Sequence, residues 1–156
     1  MKPIIRNETP ADYRAVETLT REAFWNQNGP GCEEHYFVNQ MRNHPDFLPE
    51  LAFVLELDGQ LIGNVMYTKS WLVDEQGNRK TILSFGPVSI HPDYQRKGYG
   101  KLLLEHSFAA ARELGMMPSS FLEIRAIMWP VVFKVAKSTM SVWKATASPP
   151  HCWSRN

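Results

Sequence analysis

The segment from Gly86 to Lys101 reads GPVSIHPDYQRKGYGK, and it decides the fold more than any other stretch of the chain. A short β-like run, Val88 to Ile90, leads into a loop that ends at Gly98-Tyr99-Gly100, where helical spacing begins at once. Glycine lets the backbone approach a ligand closely, and the unpaired N–H groups of a helix start attract anions. The same point carries three cations: Arg96, Lys97 and Lys101. This pattern predicts a phosphate or pyrophosphate site between a strand and a helix.

The neighbouring elements follow from spacing and turn residues. Thr9-Pro10-Ala11-Asp12 predicts a helix start, and the helix continues to about Phe24. Gly86-Pro87 interrupts the last strand, which favours an edge or a bulge there. The other predicted elements are a β-like run at Ile4–Arg6, a short helix from Glu33 to Asn43, strands over Leu51–Leu57, Leu61–Val73 and Lys80–Ile90, and a helix from Gly98 to Leu114. The order β-α-α-β-β-β-α predicts a mixed α/β (α+β) domain.

Composition excludes several classes of protein. A length of 156 residues allows one domain, and 44% hydrophobic with 21% charged residues is typical of a globular chain. The net charge of +1 argues against a nucleic-acid-binding module. Cys32 and Cys152 form neither a disulfide framework nor a zinc site, and we expect no metal. No stretch approaches the ~18 consecutive apolar residues of a membrane span, and the charged N-terminus lacks a signal-like run, so we expect a cytoplasmic protein.

Gln95, Gly98 and Gly100 match the pattern Gln/Arg-x-x-Gly-x-Gly/Ala, and the segment resembles the cofactor motif of the GNAT superfamily of N-acetyltransferases. The order of elements from Ile4 to Gly115 is similar to that of the family. The segment lacks the Gly-Lys-Ser/Thr of a Walker loop and the GxGxxG of a dinucleotide-binding fingerprint. The resemblance implies an acyl-CoA N-acyltransferase fold, a mostly antiparallel sheet flanked by helices. It also implies acetyl-CoA as cofactor and a small-molecule or peptide amine as acceptor, with no nucleic-acid or membrane partner, in a monomer or homodimer.

The resemblance also implies which residues hold acetyl-CoA. Backbone amides from Arg96 to Lys101 would bind the pyrophosphate, and the strand Val88 to Ile90 would run along the pantetheine arm. A backbone N–H near Val88 or Ser89 would stabilise the developing oxyanion. The implied cofactor-binding residues are Val88, Ser89, Ile90, Gln95, Arg96, Lys97, Gly98, Tyr99, Gly100 and Lys101.

Catalytic side chains are harder to assign. Glu56 and Ser84 are candidates, and so are Tyr67 and His91, because all four lie on or next to the predicted strands. Each also has a structural interpretation. Glu56 would be a solvated strand residue, Ser84 a strand residue without a specific role, Tyr67 a cross-strand partner and His91 a loop residue. Three aromatic residues of the first two helices could line an acceptor site or pack in the core: Trp25, Tyr36 and Phe37. On the long helix, His106 and Phe108 are expected to pack.

The chain after Gly115 departs from the family pattern. Residues 1–115 carry a net charge of −3 and all nine glycines, whereas residues 116–156 carry a net charge of +4. If the codons are read one nucleotide early, the genetic code forces four residues of the new reading. They are Asp from Met116-Met117, Ala from Met117-Pro118, Val from Met128-Trp129 and Ala from Trp129-Pro130. Permitted codons elsewhere give an apolar strand, a Gly-Asn-Pro turn, a Tyr-bearing helix and a Gly-Phe pair, in the family's order. The domain assignment is therefore an acetyltransferase core over 1–115 and an atypical, frameshifted tail over 116–156, against the alternative of a natural divergent tail.

Three functional hypotheses follow. The first is an N-acetyltransferase that transfers the acetyl group of acetyl-CoA to a primary amine by direct attack. The second is an acetyl-CoA-binding but catalytically impaired remnant of such an enzyme, since the tail lacks the Tyr-bearing helix and closing strands. The third is an interaction or nucleic-acid module that uses the basic tail, which the acidic first part disfavours.

Overall fold

The computed structural model describes residues 2–27, 30–73 and 75–116. The strands are β1 (Ile4–Asn7), β2 (Phe53–Leu57), β3 (Gln60–Val73) and β4 (Arg79–Ile90), and the helices are α1 (Tyr13–Phe24), α2 (Glu34–Met41) and α3 (Tyr99–Glu113). These elements occur in the predicted order, which confirms the mixed α/β fold. The tail assigned to residues 116–156 lies outside the described residues beyond Met116.

The predicted N-terminal start of the first helix is confirmed. A single 3-10 turn, Pro10–Asp12, leads into α1. The N–H and the hydroxyl of Thr9 both donate to Asp12 Oδ2, at 2.8 and 2.7 Å, so the acidic residue closes the turn as a capping residue does. The buried face of α1 consists of Val16, Leu19, Thr20 and Ala23, which is the helical spacing read from the sequence.

The four strands form an antiparallel sheet in the order β1-β2-β3-β4. Asp58 and Gly59 join β2 to β3 with φ of 51° and 80°, as a two-residue hairpin turn requires. The register slips around Gly86-Pro87, because Val65 pairs with Val88 while Tyr67 pairs with Phe85. One extra residue of β4 is therefore bulged out at the predicted place. The bulge lies in the pairing of β4 with β3. The family resemblance further implies that Gly86-Pro87 splays β4 from its next neighbour, and no such neighbour is among the described strands.

The two faces of the sheet carry different helices. Met66 packs with Val16 of α1 and Val38 of α2, whereas the adjacent Tyr67 bonds to Ser107 of α3. Successive strand residues point to opposite faces, so α1 and α2 cover one face and α3 the other. The α3 face is rich in aromatic contacts, such as that of the Phe85 and Phe108 rings at 5.6 Å. The expected packing role of Phe108 is thus confirmed.

The face predicted for the second helix is partly wrong. The helical spacing of the sequence predicts that Tyr36, Phe37, Gln40 and Met41 lie on or near one face of this helix. The buried residues are instead Val38 and Met41, and Tyr36 is exposed. The helix is only eight residues long and buries the i, i+3 pair that meets α1. Local periodicity over two turns is too short to choose this face.

Candidate active site

The predicted anion site lies where β4 ends and α3 begins. After Ile90 the chain makes one 3-10 turn, and His91 caps it, since His91 Nδ1 accepts the Asp93 N–H at 3.3 Å. The loop then reaches Gly98, which is the N-cap of α3 and has a φ of 89°. Glycine adopts this left-handed conformation without the steric cost of a side chain. Gly98 therefore allows the chain to turn directly from the loop into the helix.

The first turn of α3 presents free hydrogen-bond donors. Among the residues that the structure describes, none accepts a hydrogen bond from the N–H groups of Tyr99, Gly100 or Lys101. The Leu102 N–H is the first to be paired, with the Gly98 carbonyl at 3.1 Å. Such N–H groups carry the positive end of the helix dipole, and together they form an anion site.

The two glycines of the motif have different roles. A Cβ on Gly98 would meet nothing within 4 Å, so the space beside this residue is open to a ligand. A Cβ on Gly100 would meet Ile90 Cγ1 at 3.6 Å, an ordinary contact that alanine also makes. Gly98 is thus needed for its conformation, whereas Gly100 packs over the end of β4. This difference agrees with the Gly/Ala freedom at the last position of the motif.

Gln95, the first residue of the motif, holds the loop in place. Its side-chain Nε2 donates to the Ile90 carbonyl at 3.0 Å. This hydrogen bond ties the loop to the last residue of β4, so the side chain is engaged with its own chain rather than with solvent. We therefore assign Gln95 a positioning role beside the anion site.

Positive charge surrounds the anion site on its exposed side. Arg96 is exposed and makes no ion pair with any described residue, and its φ of 59° adds a second left-handed position to the loop. Lys97 Nζ lies 5.6 Å from the centre of the Tyr94 ring. Lys101 Nζ is 3.7 Å from Glu105 in an exposed pair, which binds weakly and leaves the ammonium accessible. All three cations are exposed and lie within three residues of Gly98 in the sequence.

The strand that leads to this site is paired along one edge within the described residues. Val88, Ser89 and Ile90 register with residues 65, 64 and 63 of β3, respectively. On the opposite side of β4, no strand of the described part pairs with it. Among the described residues the backbone groups on that edge have no strand partner, as pairing with an extended ligand such as a pantetheine arm requires.

The candidate catalytic residues Glu56 and Ser84 are not brought together. Glu56 lies on β2, with β3 between it and β4, and its Oε2 accepts from Arg6 Nη2 at 3.3 Å. Arg6 also binds Asp12 at 2.7 Å and holds the pKa of that carboxyl well below its usual range. Glu56 is thus one partner of an ion-pair cluster. Ser84 lies on β4 itself, opposite Thr68 and half-buried, so it shares a strand with the implied cofactor residues.

Tyr67 and His91 have structural partners. The Tyr67 hydroxyl lies 2.8 Å from Ser107 Oγ on the α3 face, and the side chain is fully buried. His91 Nε2 is 3.5 Å from Glu22 Oε2, and the His91 ring packs edge-on against Tyr94. Glu22, Glu56 and His91 share an open groove that runs along α1 and the β2–β3 turn.

The aromatic residues expected near an acceptor are exposed. Trp25 follows the last residue of α1 and is 55% exposed, and Tyr36 on α2 is 47% exposed. Phe37 is half-buried. His106 is exposed, although its ring packs edge-on against Phe53 at 5.0 Å. The two exposed rings agree better with the acceptor-site interpretation than with core packing.

Two sets of buried polar contacts were not predicted from the sequence. Thr20, Asn64 and Ser89 are hydrogen-bonded in series between α1, β3 and β4. Arg42, at the end of α2, is 5% exposed and pairs with Glu8 and Glu17. No local pattern of residues indicates which polar side chains meet across a fold, so neither set could be read from spacing alone.

Within the described ranges, no group of His, Cys, Asp or Glu could hold a metal ion, and no helix is long and apolar enough to cross a membrane.

Within the described residues, a bulged strand runs into a glycine-bearing helix start with unpaired N–H groups on a mixed α/β fold, an arrangement typical of proteins that bind phosphate-bearing ligands. The family profile described as "Acetyltransferase (GNAT) family" matches residues 14–127. The chain belongs to the GNAT family of acetyltransferases, and its predicted enzyme class, acyltransferase, is confirmed.

Relatives with known names or structures agree with this assignment. An N-alpha-acetyltransferase of Sulfurisphaera tokodaii is 27% identical over 132 residues, which cover 82% of this chain and 74% of the relative. A GNAT family acetyltransferase from Brucella melitensis, solved in complex with acetyl-CoA, is 28% identical with a TM-score of 0.63 and is matched over 74% of this chain and 71% of that one. The YhbS N-acetyltransferase of Escherichia coli, in complex with CoA, is 25% identical with a TM-score of 0.61, over 74% of this chain and 59% of that one.

Proposed function

We propose that this chain transfers the acetyl group of acetyl-CoA to a primary amine, by direct attack of the amine nitrogen on the thioester carbonyl. The observation that carries the proposal is the anion site at the start of α3, which we call the pyrophosphate cradle (Arg96 to Lys101). It combines unpaired N–H groups with an open face at Gly98. The complexes of similar acetyltransferases with acetyl-CoA and CoA support it.

The residues of the cradle fit a pyrophosphate. N–H groups of Tyr99, Gly100 and Lys101 would donate to its oxygens, and such charge-assisted hydrogen bonds are stronger than neutral ones. Arg96, Lys97 and Lys101 would balance its charge. The open edge of β4 would pair with the amide groups of the pantetheine arm as another strand does.

The remaining steps concern the thioester. Acetyl-CoA, when bound, supplies an activated acetyl group. An N–H near Val88 or Ser89 would stabilise the negative charge that develops on the acetyl oxygen. The amine nitrogen forms the new N–C bond, the C–S bond breaks, and the thiolate takes up a proton. Ser84, on the same strand, would relay the proton that the attacking amine loses to a water chain, which carries it to bulk solvent. In the family a Tyr from a later helix commonly protonates the thiolate, whereas residues 116–156 of this chain contain no Tyr, so water would supply this proton.

The acceptor is a small-molecule or peptide amine. The name of the archaeal relative makes the α-amino group of a polypeptide the first acceptor to test. The exposed rings of Trp25 and Tyr36 offer apolar contacts at an acceptor side. A panel of N-terminal peptides and small primary amines, followed by the release of CoA thiol, would separate the two kinds of acceptor.

The proposal is tested by titration calorimetry of the purified chain with acetyl-CoA. In the variant Gly98→Glu, a carboxylate stands in the open face of the cradle and repels the pyrophosphate, so we expect affinity to fall by about a hundred-fold or more. Gly77→Glu is the matched control, because Gly77 also has a positive φ, of 84°, and open space around its Cβ. Gly77 lies in the β3–β4 turn, at the far end of β4 from the cradle.

Equal binding by Gly98→Glu and Gly77→Glu would place the cofactor elsewhere and contradict the cradle. A folded parent chain that binds acetyl-CoA but releases no CoA would support the second candidate function, an impaired remnant that only binds the cofactor. The composition of residues 116–156, with no glycine and one acidic residue, favours that candidate. A folded parent chain that does not bind acetyl-CoA would contradict both.

A further inference from the structure

A chain of three polar side chains crosses the core beneath α1. Ser89 Oγ on β4 donates to Thr20 Oγ1 on α1 at 3.2 Å, and Thr20 Oγ1 donates to Asn64 Oδ1 on β3 at 3.3 Å. Thr20 and Ser89 are completely buried and Asn64 is 1% exposed. We call this set the polar latch (Thr20, Asn64 and Ser89).

The surroundings of the polar latch are apolar, which makes it costly. Val16, Val38, Val54 and Met66 form the core on the same face of the sheet. Asn64 Nδ2 is buried without a hydrogen-bond partner among the described residues. A buried polar group without a partner opposes folding, whereas apolar residues of similar volume would pack here without that cost. Stability alone therefore does not explain these three residues.

The position of the polar latch suggests what it contributes. Asn64 and Ser89 are directly opposite each other in the β3–β4 register, and Ser89 is the second residue after the bulge at Gly86-Pro87. A bulge loosens the local pairing and bends the strand that carries it. The hydrogen bond from Ser89 to Thr20 fastens the strand just after this point to a helix. Thr20 also lies on the helix that ends beside the exposed Trp25.

We propose that the polar latch fixes the position of the Val88–Ser89 backbone relative to α1. The N–H that stabilises the acetyl oxygen then stays at a constant distance from the acceptor side of the site. This inference rests on the proposed function. Thr20 and Asn64 are positioning residues in it, because they act through β4 and touch no substrate. Hydroxyl and amide groups are suited to this task, since a hydrogen bond constrains direction as well as distance.

The first test uses hydrogen exchange without any ligand. Thr20→Val keeps the shape of the side chain and removes both hydrogen bonds, and we expect exchange of the Ser89 amide, which faces β3, to accelerate by about ten-fold relative to the parent. Thr20→Ser keeps the hydroxyl and restores protection. Ser107→Ala is the matched control, since it removes a fully buried hydroxyl on the opposite face of the sheet, where it bonds to Tyr67. If Thr20→Val does not fold, Ser89→Ala is measured in the same way.

The second test is kinetic. Because the cradle is intact in Thr20→Val, the KM for acetyl-CoA should stay within about two-fold while kcat falls by about ten-fold or more, as expected for a misplaced reacting group. Thr20→Ser should recover kcat, and Ser107→Ala should change neither constant. Unchanged exchange of the Ser89 amide in Thr20→Val, or a parent-like kcat in that variant, would overturn the inference. If the parent chain itself neither binds nor turns over acetyl-CoA, the proposed function fails, and the exchange experiment still decides whether the latch holds β4.

Discussion

At the scale of single residues, Tyr67 shows how burial changes chemistry. Its ring is completely buried on the α3 face of the sheet, and its hydroxyl meets Ser107 Oγ at 2.8 Å. Burial raises the pKa of this phenol to about 12, because the charged form would lose its hydration. The phenol is therefore neutral at physiological pH, and its hydroxyl is engaged with Ser107 inside the core.

Tyr67→Phe should change how stability depends on alkaline pH. The unfolded chain ionises this phenol near pH 10, whereas the folded chain holds the proton up to about pH 12, so folding stability is full below pH 10 and falls as pH rises between these values. Tyr67→Phe should weaken that fall, and it should cost about 1 kcal/mol at pH 7 because the hydrogen bond to Ser107 is lost. Urea unfolding at pH 7 and from pH 9 to about 11.5 measures both effects.

Tyr36→Phe is the control for this experiment, because Tyr36 is largely exposed. It should keep the alkaline fall of the parent chain. An identical pH profile for the parent and Tyr67→Phe would contradict the burial argument, and a large loss of turnover in Tyr67→Phe would return Tyr67 to the catalytic candidates.

At the scale of elements, α2 is joined to the rest of the fold by charges rather than by a large apolar face. Arg42 follows its last residue and is 5% exposed, Glu8 is 4% exposed, and their atoms Nη2 and Oε1 are 2.7 Å apart. Arg42 Nη1 is also 2.7 Å from Glu17 Oε1 of α1, and the guanidinium stacks on the Tyr13 ring at 4.1 Å. A planar cation with five donors can make these contacts together, which a lysine could not.

Arg42→Met should destabilise the fold strongly. The substitution keeps much of the volume but leaves the buried Glu8 carboxylate without its cation, a change that costs about 3 kcal/mol or more. Glu105→Gln breaks the exposed pair with Lys101 and should cost about 0.5 kcal/mol or less. Chemical unfolding of both variants beside the parent gives the comparison. Similar losses in the two variants would show that the Arg42 contacts do not join α2 to α1 and to the segment after β1.

At the scale of the whole molecule, the chain divides in composition near Gly115. We propose that residues 1–115 are an acetyltransferase core and that 116–156 are read out of frame, after the loss of one nucleotide near the Gly115 codon. Two observations on the sequence support the proposal: the four residues forced by the Met and Trp codons, and the order of the elements that the shifted reading contains. A chain cut off from its last strands would also expose a sheet edge, which favours aggregation.

Restoring the reading frame should raise activity. We expect that adding one nucleotide at the Gly115 codon gives a more soluble protein whose acetyl-CoA turnover rises by about ten-fold or more, because a general acid alone contributes about a hundred-fold. Adding three nucleotides at the same place inserts one residue, keeps the present tail and should leave turnover unchanged. Sequencing of the coding DNA checks the cause directly: an intact frame with unrelated codons would refute the proposal, as would equal turnover in the two insertions.

Residue spacing and turn residues were sufficient to predict the helices and strands whose sequence pattern extends over many residues. The fifteen-residue α3, the Asp58-Gly59 turn and the bulge at Gly86-Pro87 all follow from local rules of helix starts, hairpins and proline in strands. The short α2 was placed correctly, but its buried face was wrong, because eight residues offer too few repeats to define a face. The ion pair of Glu56 with Arg6 could not be predicted, because the two residues are 50 positions apart in sequence, and Glu56 was therefore considered as a catalytic candidate. The cofactor residues of the cradle stay a prediction until acetyl-CoA binding is measured.

The sequence by itself determined the order of the elements and the strand-loop-helix junction at Gly98, since both depend on residues that are neighbours in the chain. It also indicated the GNAT family, because the motif from Gln95 to Gly100 is contiguous. Only the tertiary structure decided which polar side chains meet: Thr20 with Asn64 and Ser89, Arg42 with Glu8 and Glu17, and Tyr67 with Ser107. Such pairs form between residues brought together by the packing of helices on both faces of the sheet, and the free energy of that packing is a property of the whole fold, not of any local pattern.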